Sequence, residues 1–196
     1  PTWNNNGSTI YYAKKAKYPN KQGSKYFDLY EYDLNTEQET RLTKDSRAFS
    51  PCFISKDSTL IYLATHDGGQ NIYRIDLKSR KTQRLTNFED RRMLSSLAYD
   101  EEKNRILFDV TRNHFRDIAY LSLGDSTLGL VFSNGEWDER DINISAGQLI
   151  YSDDRSGVFN LYVIDEKTMT GGYITNVMGG AFMPAVNITG QVVYSI

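Results

Sequence analysis

The chain has 196 residues, enough for one domain or two small ones with a hydrophobic core that needs no special stabiliser. Its 23 basic and 25 acidic side chains leave a formal charge of −2, so no global field draws it to DNA, RNA or an anionic membrane, and no nucleic-acid partner is expected. The single cysteine, Cys52, rules out an internal disulfide and a multi-cysteine metal site, and no apolar run approaches the roughly 20 residues that cross a bilayer, so direct membrane insertion by this segment is not expected.

From the N-terminus, short apolar runs alternate with polar clusters rich in Asn, Asp, Gly, Ser and Lys, the chemistry of tight turns. Ile10-Tyr11-Tyr12 comes first, followed by YFDLYEYDL ending at Leu34 and by Arg41-Leu42-Thr43. Then come Leu60-Ile61-Tyr62-Leu63, QNIYRIDL ending at Leu77, and Arg84-Leu85-Thr86. Residues 91–105 admit two readings, because Met93, Leu94, Leu97 and Ala98 fall at helical spacing while the same stretch also reads as a strand and turn. Ile106-Leu107-Phe108, RDIAYLSL ending at Leu123 and Leu130-Val131-Phe132 follow, and FNLYVIDE ending at Glu166 leads to Tyr173-Ile174-Thr175. Fourteen tyrosines suit half-buried sheet surfaces, where the ring packs and the hydroxyl meets water, so strand is expected throughout. The chain starts at Pro1 without a methionine or signal-like segment and is expected to be a processed product or an excerpt.

The runs repeat. PTWNNNGSTIYY, PCFISKDSTLIYL, LAYDEEKNRILF, RDINISAGQLIY and PAVNITGQVVY start near Pro1, Pro51, Leu97, Arg140 and Pro184, and Trp3, Phe53, Tyr99, Ile142 and Val186 take matching places. Leu29, Ile72, Ile118 and Leu161 are equivalent in the second half of each unit. Four strands in about 45 residues is the size of one β-propeller blade, whose faces are buried only when blades stack. The expectation is an all-β fold over residues 1–196: a β-propeller segment of four-stranded antiparallel blades, four full blades plus half of a fifth, an incomplete ring.

Repeats such as SPCFISKDSTLIYLATHDGGQNIYRIDLKSRKTQRLT (residues 50–86) resemble the TolB-type propeller repeat, with its serine-proline, aromatic, turn, apolar strand, "IYVMDL" strand and closing "RLT". The resemblance covers the whole chain, although the unit from Leu97 lacks both the proline and the closing Arg-Leu-Thr. It implies a non-enzymatic assembly scaffold of the bacterial envelope, periplasmic or associated with the outer membrane, that binds a protein partner or another domain of its own polypeptide. Similar repeats also form the gating propeller of prolyl-oligopeptidase-like serine hydrolases, in which case the catalytic domain lies outside this chain, and lyase-type propellers with a carbohydrate and metal site are a third reading.

No catalytic motif is present, and no cofactor is expected. His66 and His114 occupy comparable loops and would need carboxylate help from Asp67 or Asp117 to hold a metal; ordinary loop histidines are the alternative, and no metal site is assigned. Asp153-Asp154-Arg155-Ser156-Gly157 superficially suggests calcium, but turn geometry accounts for it. The sequons at Asn6, Asn143 and Asn187 fall among turn residues. The linkers from the last strand of one unit to the first of the next combine charge with an aromatic residue, the composition of a recognition surface at a channel mouth. Their candidate binding residues are Arg47, Arg91, Arg92, Trp137 and Arg140; the alternative is that Trp137 packs on a neighbouring blade and the arginines pair with nearby acids.

Overall fold

A computed structural model describes residues 1–54, 56, 58–112, 114–132, 136–187 and 189–196. Among the described residues every regular element longer than a turn is a β-strand, and all pairing is antiparallel between neighbours in sequence. The first sheet is β1 (Thr2–Trp3), β2 (Thr9–Lys15), β3 (Phe27–Asp33) and β4 (Gln38–Arg41). The second is β5 (Ala48–Ile54), β6 (Thr59–His66), β7 (Gly69–Asp76) and β8 (Thr82–Arg84). The third is β9 (Leu94–Asp100), β10 (Arg105–Arg112), β11 (Phe115–Ser122) and β12 (Leu128–Phe132), and the fourth is β13 (Glu139–Ser145), β14 (Gln148–Asp153), β15 (Asn160–Asp165) and β16 (Thr170–Tyr173). A two-stranded sheet, β17 (Phe182–Val186) with β18 (Val192–Ser195), completes the series. Four full blades and half of a fifth are therefore present, and the helical reading of residues 91–105 gives way to β9 and a turn, because β10 supplies its pairing partner.

The chain divides into two compact units, Pro1–Arg92 and Met93–Ile196. In the first, Tyr11 and Leu29 of the first sheet pack on Ala48, Leu60, Tyr62, Ala64 and Ile75 of the second, with Tyr11 stacked on Phe53 at 5.4 Å. In the second, Ala98, Leu107 and Ile118 of the third sheet pack on Ile142, Leu149, Tyr151 and Ile164 of the fourth. Leu29, Ile72, Ile118 and Leu161, the equivalent residues of the third strands, are all fully buried, each contributing roughly 1.5–3 kcal/mol of transfer free energy. Aromatic pairs cross neighbouring strands at one register position: Tyr12 on Tyr30, Tyr62 on Tyr73, and Tyr151 on Tyr162.

Two turn devices recur. The first strands of the second to fifth sheets carry a bulge whose leading residue has positive φ: Ser50 (47°), Ser96 (31°), Asp141 (59°) and Met183 (53°). Pro51 and Pro184 each follow one of these residues, at a place in the ladder where a missing N–H costs little. Between third and fourth strands, Asp33, Asp76 and Asp165 each accept two backbone N–H bonds from the turn that follows, which holds these carboxyls below the usual range.

Pairing corrects two expectations. Trp3, Phe53, Tyr99 and Val186 face Ile10, Leu60, Ile106 and Val192, and the residue facing Leu149 in the fourth unit is Ile144 rather than Ile142. Fourth strands expected at residues 41–43, 84–86 and 173–175 end at Arg41, Arg84 and Tyr173, because just beyond them a threonine side chain takes the place of one backbone acceptor, as described next.

Candidate functional site

In a sheet that runs 1-2-3-4, the end of the second strand, the start of the third and the linker leaving the fourth share one edge. At that edge the third strand begins with a buried Asp or Asn: Asp28, Asn71, Asp117 and Asn160, each at most 4% exposed. In the first sheet Asp28 accepts Thr43 Oγ1–H at 3.0 Å, Ser46 N–H at 3.0 Å and Asp45 N–H at 3.2 Å, and pairs with Arg41 Nη2 at 2.5 Å. In the second, Asn71 Oδ1 accepts from Thr86 Oγ1 at 2.9 Å and Phe88 N at 2.7 Å, and its Nδ2 donates to Phe88 O at 3.1 Å. In the fourth, Asn160 Oδ1 accepts from Thr175 Oγ1 at 3.0 Å and Val177 N at 2.9 Å. The threonines turn back as acceptors for Leu29, Ile72 and Leu161 N–H at 3.0, 2.9 and 2.8 Å. The closing Leu-Thr or Ile-Thr pair is thus a clamp: Leu42, Leu85 and Ile174 keep a backbone bond to Leu29, Ile72 and Leu161 O, the threonine side chain takes the return N–H, and the buried Asx holds the linker.

This clamp was legible only as an Asx before the equivalent Leu or Ile of each repeat, a signal easily read as turn composition. It fixes the start of each linker from within its own sheet. In the first unit, Arg47 is exposed, lies over the Tyr26 ring at 4.4 Å and donates to Tyr26 Oη at 3.0 Å, which pulls that phenol below its ordinary pKa. Arg92 is half-buried, forked onto Asp90 at 2.6 and 2.5 Å and seated over Phe88 at 4.2 Å; the Arg92 hydrogen bond holds the Asp90 carboxyl low. Arg91 is exposed, and no hydrogen bond or ion pair holds it among the described residues.

In the second unit, Trp137 is half-buried with the Arg155 guanidinium 5.3 Å from its ring. Arg155 also lies 4.5 Å from the Tyr162 ring and grips the fully buried Asp153 from both Nε and Nη2, at 2.8–2.9 and 2.6 Å. Arg140 lies beside the Phe159–Phe182 ring pair, 5.4 and 5.5 Å from the two centroids, with Asp141 Oδ2 3.5 Å from its Nε. Of the five candidates, Arg91 is exposed and unheld among the described residues, Arg47 is exposed but held on Tyr26, Arg92 and Arg140 are engaged by neighbours, and Trp137 forms one wall of the Arg155 cluster. Asn134 and Gly135, the start of the third linker, lie outside the described residues.

The calcium reading of residues 153–157 does not survive the geometry. Asp153 is saturated by Arg155 and by Tyr173 Oη at 2.8 Å, while Asp154 accepts the N–H of Asp138 at 2.8 Å. His66 packs edge-on against Tyr73, and no group of three or more His, Cys, Asp or Glu side chains is assembled for a metal among the described residues. The sequon amide of Asn143 is half-buried and donates to Pro184 O at 3.1 Å, a structural use of that side chain.

No protein-family model matches the chain, and no curated relative does. Solved structures do. TolB from Acinetobacter baumannii superposes with a TM-score of 0.77 at 20% identity, covering 97% of this chain and 46% of that protein. A TolB-type protein from Agrobacterium tumefaciens superposes with a TM-score of 0.74 at 14% identity, over 94% of this chain and 69% of its own. A prolyl endopeptidase structure reaches 0.67 at 10% identity, over 94% of this chain and 30% of that one. The fold is thus a TolB-like β-propeller fold, and the chain spans about half the length of the Acinetobacter protein.

Proposed function

We propose that the chain is a non-enzymatic, protein-binding scaffold of the bacterial cell envelope, periplasmic or outer-membrane-associated. The observation that carries this reading is the clamp: Asp28, Asn71 and Asn160 order the linkers from within and leave Arg47 and Arg91 exposed on them. Pre-ordered loops with exposed arginines lower the entropic cost of docking and favour orientation of an acidic or hydrogen-bonding partner surface. The partner is another protein or another domain of the same polypeptide. The test is capture of partners from native lysate by the chain and by its Trp137→Ala, Arg91→Glu variant. Loss of wild-type partners supports the linker surface, and an unchanged set counts against it.

The likeness to the prolyl endopeptidase structure favours a second reading, in which the same scaffold gates a hydrolase domain elsewhere in the polypeptide. A Gly-x-Ser-x-Gly elbow with downstream Asp and His in the flanking sequence would select the gate.

A further inference from the structure

The first acidic residue of the chain is Asp28. The 27 residues before it carry Lys14, Lys15, Lys17, Lys21 and Lys25 with no carboxylate between them, in a protein whose overall charge is −2. Most of this charge sits on one structural feature, the connection between β2 and β3. In the second sheet that connection is Asp67-Gly68; in the first it is residues 16–26. The extension is built and ordered. Ala16 is buried and its N–H donates to Tyr26 O at 2.8 Å, continuing the ladder past Lys15 and Phe27. At the tip Asn20 closes a turn: its Oδ1 accepts Gln22 and Ser24 N–H at 3.0 and 2.9 Å, its own N–H donates to Ser24 O at 2.8 Å, and its carbonyl accepts from Gly23 at 2.9 Å. Gly23 sits at φ 78° with open space where a side chain would be.

Among the described residues, Lys14 is the one of the five that meets a carboxylate, both Glu39 oxygens at 2.8 Å. Lys15, Lys17, Lys21 and Lys25 are exposed, and no carboxylate pairs with any of them among the described residues. Tyr18 beside them is 71% exposed and Phe27 is 51% exposed, and the Lys17 ammonium lies 5.3 Å from the Tyr18 ring centroid. The cations are all lysines. Protein interface cores are depleted in lysine and enriched in arginine, because a flexible, strongly hydrated ammonium is a poor fixed contact. Unpaired lysines beside exposed aromatic rings suit a diffuse sheet of negative charge with an apolar layer beneath it, where the ring sits at headgroup depth and the ammonium groups stay in water.

We infer that the β2–β3 extension, residues 15–27, adsorbs the first unit onto an anionic lipid surface. Adsorption is peripheral and reversible, with no strand or helix entering the bilayer. It makes no use of the partner-binding linkers, so it stands or falls separately from the function proposed above.

The test measures co-flotation of the whole 196-residue chain with vesicles of 30% phosphatidylglycerol in phosphatidylcholine, and with vesicles of phosphatidylcholine alone. Partitioning onto the anionic vesicles is expected to exceed that onto neutral ones at least tenfold at low salt, and to collapse as salt is raised. Changing Lys15, Lys17, Lys21 and Lys25 to Gln together is expected to abolish it, at about fivefold per lysine. Changing Lys56, Lys78, Lys81 and Lys167 to Gln removes the same net charge elsewhere and is expected to leave at least half of the binding. Should the first quadruple variant not fold, Lys17→Gln and Lys21→Gln singly each read the fivefold step. The inference is overturned by equal binding to both vesicle types, by equal loss in the two quadruple variants, or by binding to a poly-glutamate peptide without binding to anionic vesicles, which would assign the extension to an acidic protein instead.

Discussion

The backbone N–H of Asp141 in β13 donates to Asp109 Oδ2 in β10 at 2.8 Å, so a carboxylate buried in the third sheet closes the bulge of the fourth. Ile142 N–H adds a second bond to Asp109 Oδ1 at 3.3 Å, and Ser95 Oγ a third to Oδ2 at 3.2 Å. Asp141 repeats the device one sheet onward, its Oδ2 accepting Met183 N–H in β17 at 3.2 Å. A bulge frees backbone donors from the ladder, and in the interior they need an acceptor. Here the preceding sheet supplies it, so sheets in the second unit are joined by polar bonds as well as by the packing of Leu107 on Tyr151.

The Asp109 junction predicts a pH dependence. Burial pushes the Asp109 carboxyl up to about 6 from its ordinary 3.8, with the Asp141 charge adding to burial and the backbone N–H groups opposing both. Between those two values the folded chain holds a proton that the unfolded chain has released, so this group's contribution to stability falls as pH rises from about 4 to 6. Two pKa units correspond to a change of about 3 kcal/mol. The difference in urea-unfolding free energy between the wild type and Asp109→Asn is expected to shift by about 2–3 kcal/mol in favour of the variant between pH 4 and pH 7. A pH-independent difference would mean that the carboxylate stays ionised in the fold.

Asp28 predicts a graded series. Its carboxylate takes the Arg41 guanidinium, two hydroxyls and the N–H groups of Asp45 and Ser46. Asp28→Ala leaves the Asp45 and Ser46 N–H groups without that acceptor and strips Arg41 of its buried partner, and is expected to cost about 3–5 kcal/mol in chemical unfolding. Asp28→Asn keeps the acceptor that Asn71 and Asn160 use in the other sheets and loses the ion pair, so about 1–2 kcal/mol is expected. Limited proteolysis should cut the alanine variant near residues 44–47 faster than the wild type.

How far the sequence foretold all this depends on what kind of interaction each residue makes. The strands and their order were legible, because Leu29, Ile72, Ile118 and Leu161 recur at one period and bury fully. The clamp threonines were read as strand, since Thr43 and Thr86 suit a strand by propensity and only the sheet edge reveals their role as acceptors. Arg92 and Arg140 admitted two readings from sequence, recognition groups or partners of nearby acids; in the fold Arg92 is held by Asp90 and Phe88, and Arg140 lies beside Asp141, Phe159 and Phe182. Sequence adjacency hinted at the first pair; the phenylalanines around Arg140 come from β17 and the loop before β15, which no local pattern connects. Asp109 was visible as a carboxylate inside the run Ile106 to Val110, and that mismatch with its neighbours was the one cue to its use.

Arg155 and Asp153 predict a non-additive pair. Arg155 joins Asp153 through two nitrogens and is flanked by Trp137 and Tyr162, and this partnership raises the guanidinium's pKa in spite of burial. Arg155→Met strands a fully buried carboxylate and is expected to cost about 3–5 kcal/mol. Adding Asp153→Asn to Arg155→Met should recover at least half of that loss, since the amide still accepts from Tyr173 Oη without an unpaired charge. Additive losses in the double-mutant cycle would show that Arg155 stabilises through its ring contacts rather than through Asp153.

Two adjacent glycines in β16 provide the last prediction, because they differ only in what lies beside them. A Cβ on Gly171 would collide with the carbonyl oxygen of Val163 and stand 2.8 Å from Tyr162 Cε1, whereas a Cβ on Gly172 meets nothing within 4 Å. The Tyr162 ring lies over Gly171 because that position is empty, and the same ring meets Tyr173 edge-on at 5.2 Å and carries Arg155 on its face. Gly171→Ala must therefore push β16 off β15, displacing Tyr173 from Asp153, with an expected cost of about 1–3 kcal/mol. Gly172→Ala removes backbone freedom from the unfolded chain and adds no clash, so it is expected to be neutral or to stabilise by about 0.4–1 kcal/mol. Thermal unfolding of the two variants side by side decides the matter: equal shifts would mean that β16 is not seated against β15 as closely as the Tyr162–Gly171 contact requires.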